Sequence, residues 1–132
     1  MTKLTLADLN LLRGENYAWF VTLRSDGSPH ASITWVDASD DDHVLVNSAA
    51  GRLKDRNVVH DARVTVAVQR HGDAYEWIAI EGVVGERVTG PEAEAHIDAL
   101  SRRYDGRPWQ PVEGQVRVQY RIRPDRIVRY GG

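Results

Sequence analysis

Between Tyr17 and Val36, apolar and β-branched residues alternate with polar ones on either side of Asp26-Gly27. That dipeptide tolerates the positive φ of a tight turn, so the stretch predicts a β-hairpin. Further strands are predicted at His43–Asn47, at Arg63–Gln69 and from Tyr75 to Val88, the last bent near Gly82 and Gly85. Gln115–Tyr130 alternates apolar residues with Arg or Gln and predicts two half-exposed strands broken at Pro124-Asp125. Three helices complete the pattern. Thr5 and Asp8 have capping-box spacing ahead of Leu9 and Leu12, and Arg52–Val59 follow a Ser-Ala-Ala-Gly turn. In the third, Thr89 is the expected N-cap, ahead of an early Pro91 and of Ala93, Ile97, Leu100 and Tyr104 at helical intervals. Six or seven strands with two or three short helices predict a mainly β, α+β fold. Its form is an antiparallel barrel with helices over its openings, one domain spanning residues 1–132.

Composition narrows the function more than the fold. The 132 residues include no cysteine, which excludes disulfides, thiol catalysis and zinc–thiolate or iron–sulfur sites. A formal net charge of -2 argues against a general nucleic-acid binder. The N-terminal stretch lacks the apolar core of a signal peptide, and no apolar run reaches membrane length; the expectation is a soluble, cytoplasmic protein with neither nucleic-acid nor membrane partners. Asp37, Asp40, Asp41 and Asp42 fail as a calcium loop, because the sixth position counted from Asp37 is Asp42 rather than Gly and the twelfth is Ser48 rather than Glu. The five histidines (30, 43, 60, 71 and 96) show no metal-ligand spacing, so no metal site is expected. Nucleophile elbows and nucleotide-binding glycine loops are missing as well. No residue stands out as catalytic, and a chain of this kind borrows its chemistry from a cofactor.

One local feature stands against the near-neutral balance. Arg52, Lys54 and Arg56 fall within five residues, and Arg52 and Arg56 share a helical face. Arginine forks match phosphate and carboxylate, and the start of a helix adds free amides and a positive dipole end. The competing explanation is a solvated face, with Asp55 and Asp61 as partial counter-charges.

The order and spacing of "TLRSDGSPHASITWV", "VLVNSAAGRLKDRNVVHDARVTVAV", "YEWIAIEGVVGE" and the closing "RIRPDRIVRY" resemble the pyridoxamine 5′-phosphate oxidase-like split-barrel superfamily. Within it the chain is most similar to actinobacterial flavin/deazaflavin oxidoreductases that use coenzyme F420. The resemblance runs from about Ala18 to Tyr130. It implies an FMN-binding-like split barrel that forms a homodimer with cofactor sites in the dimer interface. It also implies that Arg52, Lys54, Arg56 and Asn57 hold the cofactor's phosphate and acidic tail, and that Ser48, Ala49 and Ala50 form the turn beside its ring. Ile33, Thr34, Trp35 and Val36 would line the ring edge, and Trp77 of the other chain would face the cofactor or substrate pocket. The implied function is hydride transfer between a bound deazaflavin and a small organic substrate. An FMN enzyme of the same fold, or a non-catalytic flavin, deazaflavin or heme carrier, are the alternatives.

Overall fold

Seven antiparallel strands and three helices make up residues 2–130, the part of the chain that the computed structural model describes. Helix α1 (Leu6–Arg13) leads into β1 (Ala18–Leu23), β2 (Pro29–Thr34), the two-residue β3 (Asp37–Ala38) and β4 (Val44–Ala49). Helix α2 (Leu53–His60) precedes β5 (Arg63–Gln69) and β6 (Trp77–Thr89); α3 (Pro91–Asp105) precedes β7 (Arg117–Arg129). The sheet order is β2-β1-β5-β6-β7-β4-β3. The two longest strands, β6 and β7, pair along most of their length, and the sheet curls about them into a split half-barrel.

Alternation along the strands decides what is core. Phe20, Val66, Ile80 and Tyr120 face the barrel interior together with Val44, Val46 and Ile122. The rings of Phe20 and Tyr120 stack at 5.8 Å. Burying side chains of this size contributes about 1.5–3 kcal/mol each. Leu11 and Leu12 of α1 plug one mouth of the barrel. The capping box forms as expected: Asp8 N donates to Thr5 Oγ1 at 3.1 Å, and Thr5 N donates to Asp8 Oδ2 at 2.9 Å. Arg129 then donates two hydrogen bonds to the same carboxylate, at 3.0 and 2.6 Å, tying α1 to the end of β7. At the other mouth α2 buries Asp55, Asn57 and Val58. Helix α3 lies against β7, β6 and β4, which is why β4 and the first half of β7 are buried on both faces.

Three sequence expectations need correction. Pro124-Asp125 does not break the last segment into a strand pair; β7 runs through it. Gly82 sits opposite Pro124 and Glu81 opposite Arg126, so Asp125 is the extra residue of a β-bulge. A bulge is where a strand tolerates a residue with no N–H to give. Thr89 does not cap α3 but ends β6. The N-cap is Gly90 at φ 82°, a conformation suited to glycine, and Pro91 follows at the start of the helix. Ser48 and Ala49 belong to β4 rather than to a turn, because pairing with Val118 and Arg117 carries the ladder to them.

The expected bend near Gly82 and Gly85 is present, since the β6–β7 register shifts at both places. At Gly82 an added Cβ would meet the Arg123 carbonyl oxygen at 2.2 Å. Backbone cannot yield as a side-chain tip can. Gly82→Ala is therefore expected to destabilise the fold by about 2–3 kcal/mol, the upper part of the roughly 1–3 kcal/mol range for overpacking. Urea titration would check this, and a loss below half of that would mean that the two strands part easily.

Candidate functional site

The turn between β4 and α2 carries the cation cluster to the edge of a cleft of about 380 Å³. Arg52 is the N-cap of α2, and no side chain caps that helix, so its first-turn amides and positive dipole end are left for an external acceptor. Arg52 and Lys54 line the cleft with Asn47 of β4 and Arg117 of β7. Its apolar walls come from Ile33 and Trp35, from Ile97 and Leu100 of α3, and from Trp109. Tyr104 stacks on Trp35 at 5.2 Å and donates from its hydroxyl to the Asn16 carbonyl at 2.6 Å, fixing that wall. Three hollows are larger: those of about 470 and 530 Å³ lie on the outer face of β1, β5 and β6, away from these cations, and one of about 480 Å³ adjoins the cleft at Trp35 and Trp109.

Most arginines of the chain have a carboxylate partner: Arg63 with Asp61, Arg87 with Asp55, Arg121 with Asp41, Arg129 with Asp8. Arg52, Lys54, Arg56 and Arg117 have none among the described residues. The expected counter-charges are engaged elsewhere. Asp61 is held by Arg63, at 2.7 Å. Asp55 is turned into the barrel, where it accepts from Arg87 Nη2 at 2.8 Å, Tyr120 Oη at 2.7 Å and Gly51 N at 3.0 Å. The solvated-face account in its simple form fails for Lys54, which is half-buried. Burial, then the charges of Arg52 and Arg117, push the Lys54 amine down; burial and Arg52 push the Arg117 guanidinium down to about 10. Like charges crowded into a half-buried corner favour an anion between them.

The remaining expected residues divide. Ile33, Thr34 and Trp35 line the cleft, and Val36 is wholly buried beyond the end of β2. Its backbone N–H and carbonyl are engaged by Tyr104 and Arg103. Ser48 and Ala49 are buried on β4 and Ala50 is exposed at the turn. Asn57 faces inward, where its Nδ2 donates to Thr22 Oγ1 at 3.0 Å, and Arg56 is exposed outside the cleft. Trp77 lies on the outer face, lining the hollow of about 530 Å³ with Tyr17 and Trp19, and does not reach the cleft of its own chain. Sequence reasoning missed Asn47, Arg117, Trp109, Ile97 and Leu100 as cleft residues. Nothing in "QVRVQYRIR" separates Arg117 from the other alternating arginines; only the α3 cover over that end of β7 does.

A curled antiparallel half-barrel, plugged by two helices and carrying a cationic cleft beside one of them, is the architecture of flavin-type oxidoreductases. The chain belongs to the pyridoxamine 5′-phosphate oxidase family, whose model matches residues 6–128. It is similar to the solved structure of an F420 reductase, with 26% identity over 90% of this chain and 94% of that one and a TM-score of 0.80. A conserved hypothetical protein of Mycobacterium tuberculosis superposes with a TM-score of 0.73 at 23% identity, covering 98% of this chain and 84% of its own. A heme binding protein of Mycobacterium smegmatis shares the fold at 19% identity and a TM-score of 0.68, over 100% of this chain and 56% of that one. No curated protein matches the sequence. Among the described residues no helix is long and apolar enough to cross a membrane, and no cluster of three metal-ligating side chains occurs.

The seating of α2 makes the site fragile to acid. Burial alone would raise the Asp55 carboxyl, but the bonds from Arg87, Tyr120 and Gly51 outweigh it and hold the group below its ordinary 3.8; Asp8 is held low in the same way by Arg129 and Thr5. A lowered folded-state pKa means stability that is present above the unfolded value and lost as pH falls through the folded one. Buried His96 adds to this: burial first, then the charges of Arg103 and Arg117, take its pKa down to about 4, so the unfolded chain protonates it first. Stability should thus begin to fall below about pH 7 and fall further through the carboxylate range. Asp55→Ala should cost about 3 kcal/mol or more at pH 7, because it strands Arg87 and Tyr120. Urea titrations from pH 3 to 7 on both proteins would check both statements.

Proposed function

We propose that this protein is a coenzyme F420-dependent oxidoreductase that transfers hydride between the deazaflavin and a small unsaturated or quinone-like organic substrate. The observation that carries the reading is the set of cations at the cleft with no carboxylate partner among the described residues, which suits a ligand with several anionic groups. The F420 reductase relative supports it. When bound, the deazaflavin would supply the hydride-transferring ring. The chain's own part is binding, orientation and exclusion of water: Arg52 and Lys54 would hold phosphate and carboxylates, while Trp35, Ile97, Leu100 and Trp109 would keep the cleft dry. Arg56, further out on α2, would meet the end of a long acidic tail.

FMN is the second reading, because its phosphate satisfies the same inner cations. A heme carrier fits this cleft less well, since no histidine among the described residues lines it. Binding of F420 and FMN to the purified protein, followed by turnover with reduced F420, separates enzyme from carrier and one cofactor from the other. Lys54→Ala should weaken F420 by about 1.5–3 kcal/mol, the range for charge-assisted hydrogen bonds. Arg56→Ala should weaken F420 more than FMN, and wild-type protein that binds FMN more tightly than F420 would sink the preferred cofactor.

The working form in this proposal is a cytoplasmic homodimer. Trp19 and Ile33 are opposite each other on β1 and β2 and are 51% and 56% exposed, with Ala67 and Ala79 continuing the same outer face. An apolar face of this kind is unusual for a monomer, and a two-fold axis would bury it twice. The face reaches the cleft through Ile33 and Tyr17, so a partner chain there could deliver its Trp77 to the rim. Light scattering at micromolar concentration should return twice the 14.8 kDa chain mass, and Trp19→Glu should return it once.

A further inference from the structure

Arg117 is the cleft cation that lies outside the α2 turn, and it is also the most buried, at 8% exposure. A guanidinium so placed without a carboxylate is costly unless something else is brought to it. Its Nε donates to Asn47 Oδ1 at 3.0 Å and its Nη1 to Gln115 Oε1 at 3.1 Å, both neutral acceptors. Its Nη2 has no acceptor among the described residues.

The Asn47 side chain is pinned from behind. Its Nδ2 donates to the Ala93 carbonyl at 3.0 Å and lies 3.2 Å from His96 Nδ1. Both amide hydrogens are used only if Nδ1 accepts, which places the imidazole proton on Nε2, a buried atom 3.7 Å from Asp37 Oδ2 and outside hydrogen-bond distance of it. The ring is neutral at ordinary pH: burial outweighs the pull of Asp37, and Arg103 and Arg117 add repulsion, taking its pKa down to about 4. Were the amide reversed, its NH₂ would meet the Arg117 Nε–H and its oxygen the Ala93 carbonyl. Acceptors on α3 thus decide which end of Asn47 reaches β7.

We propose that Arg117 binds the anionic group of the ligand directly and that His96, acting through Asn47, is a positioning residue that aims its guanidinium into the cleft. Which ligand carries the anion rests on the cofactor reading above. That an anion is held there rests on Arg117, Asn47 and His96 alone.

Pyrophosphate, as a bare anion, and F420 would each be titrated by calorimetry into the wild type, Arg117→Gln, His96→Phe, His96→Asn and the Arg117→Gln/His96→Phe double variant. Arg117→Gln should weaken pyrophosphate about tenfold, as loss of a charge-assisted contact does. His96→Phe should weaken it about fivefold, and His96→Asn, which keeps an acceptor at the Nδ1 position, should stay within about twofold of wild type. In the double variant His96→Phe should add nothing, because its effect passes through Arg117. Pyrophosphate affinity unchanged in Arg117→Gln, or undetectable in the wild type, overturns the anion contact. A full His96→Phe effect in the Arg117→Gln background, or failure of His96→Asn to restore affinity, overturns the positioning role. Should His96→Phe not fold, Asn47→Ala asks the same question by removing the link between His96 and Arg117: it should weaken pyrophosphate about fivefold, and retained affinity overturns the positioning role. Pyrophosphate bound as expected with no F420 binding would reject the cofactor reading and leave Arg117 in place.

Discussion

The candidate site depends on one buried carboxylate. Asp55 lies in the first turn of α2, is 3% exposed, and joins Gly51, Arg87 of β6 and Tyr120 of β7 at a single point. Gly51 stands at φ 88°, and the turn can fold back onto the helix only through such a residue. Without this junction α2 would be a short helix with weak amphipathicity and little reason to stay over the barrel mouth. With it, Arg52 and Lys54 are held at the cleft. The negative charge within the cation run therefore does not neutralise its neighbours; it anchors the segment that displays them.

That inversion marks how far the sequence could be read. Strands and helices followed from two- and 3.6-residue periods, and the family resemblance organised them into a split barrel, because both depend on local pattern. Pro124-Asp125 misled: a proline and an aspartate in an alternating run look like a turn, and only the partner strand, with its own glycine at 82, shows that the run continues over a bulge. Thr89 looked like a cap because the positive φ at Gly90 is invisible in sequence. Asp55 and Asp61 looked like counter-charges because spacing says nothing about which way a carboxylate turns. Asn47 and Arg117, 70 positions apart and hydrogen-bonded, had no joint signal at all.

The cleft is built from elements with different duties. β4 and the first half of β7 are covered on both sides and form the floor, while the α2 turn and the segment carrying Trp109 supply its more exposed borders. Rigid strands set direction better than loops do. Asn47 and Arg117 come from the floor, and their orientation is settled by α3, which is also the helix that gives Ile97 and Leu100 to the apolar wall. One helix thereby couples the polar and the apolar halves of the cleft, so a shift of α3 would disturb charge and shape together.

Charge crowding also links the site to the stability of the whole fold. Lys54 and Arg117 are both pushed below their ordinary values, first by burial and then by neighbouring cations. A downward shift in a cation measures how far the folded state disfavours its charge, so these residues oppose folding as long as their charge is unanswered. They are tolerated because the barrel core and the Asp8–Arg129 and Asp55–Arg87 pairs hold the two mouths closed independently of the cleft. An anion that enters cancels the repulsion at its source. The binding energy of such an anion would include relief of that repulsion, in addition to its direct contacts.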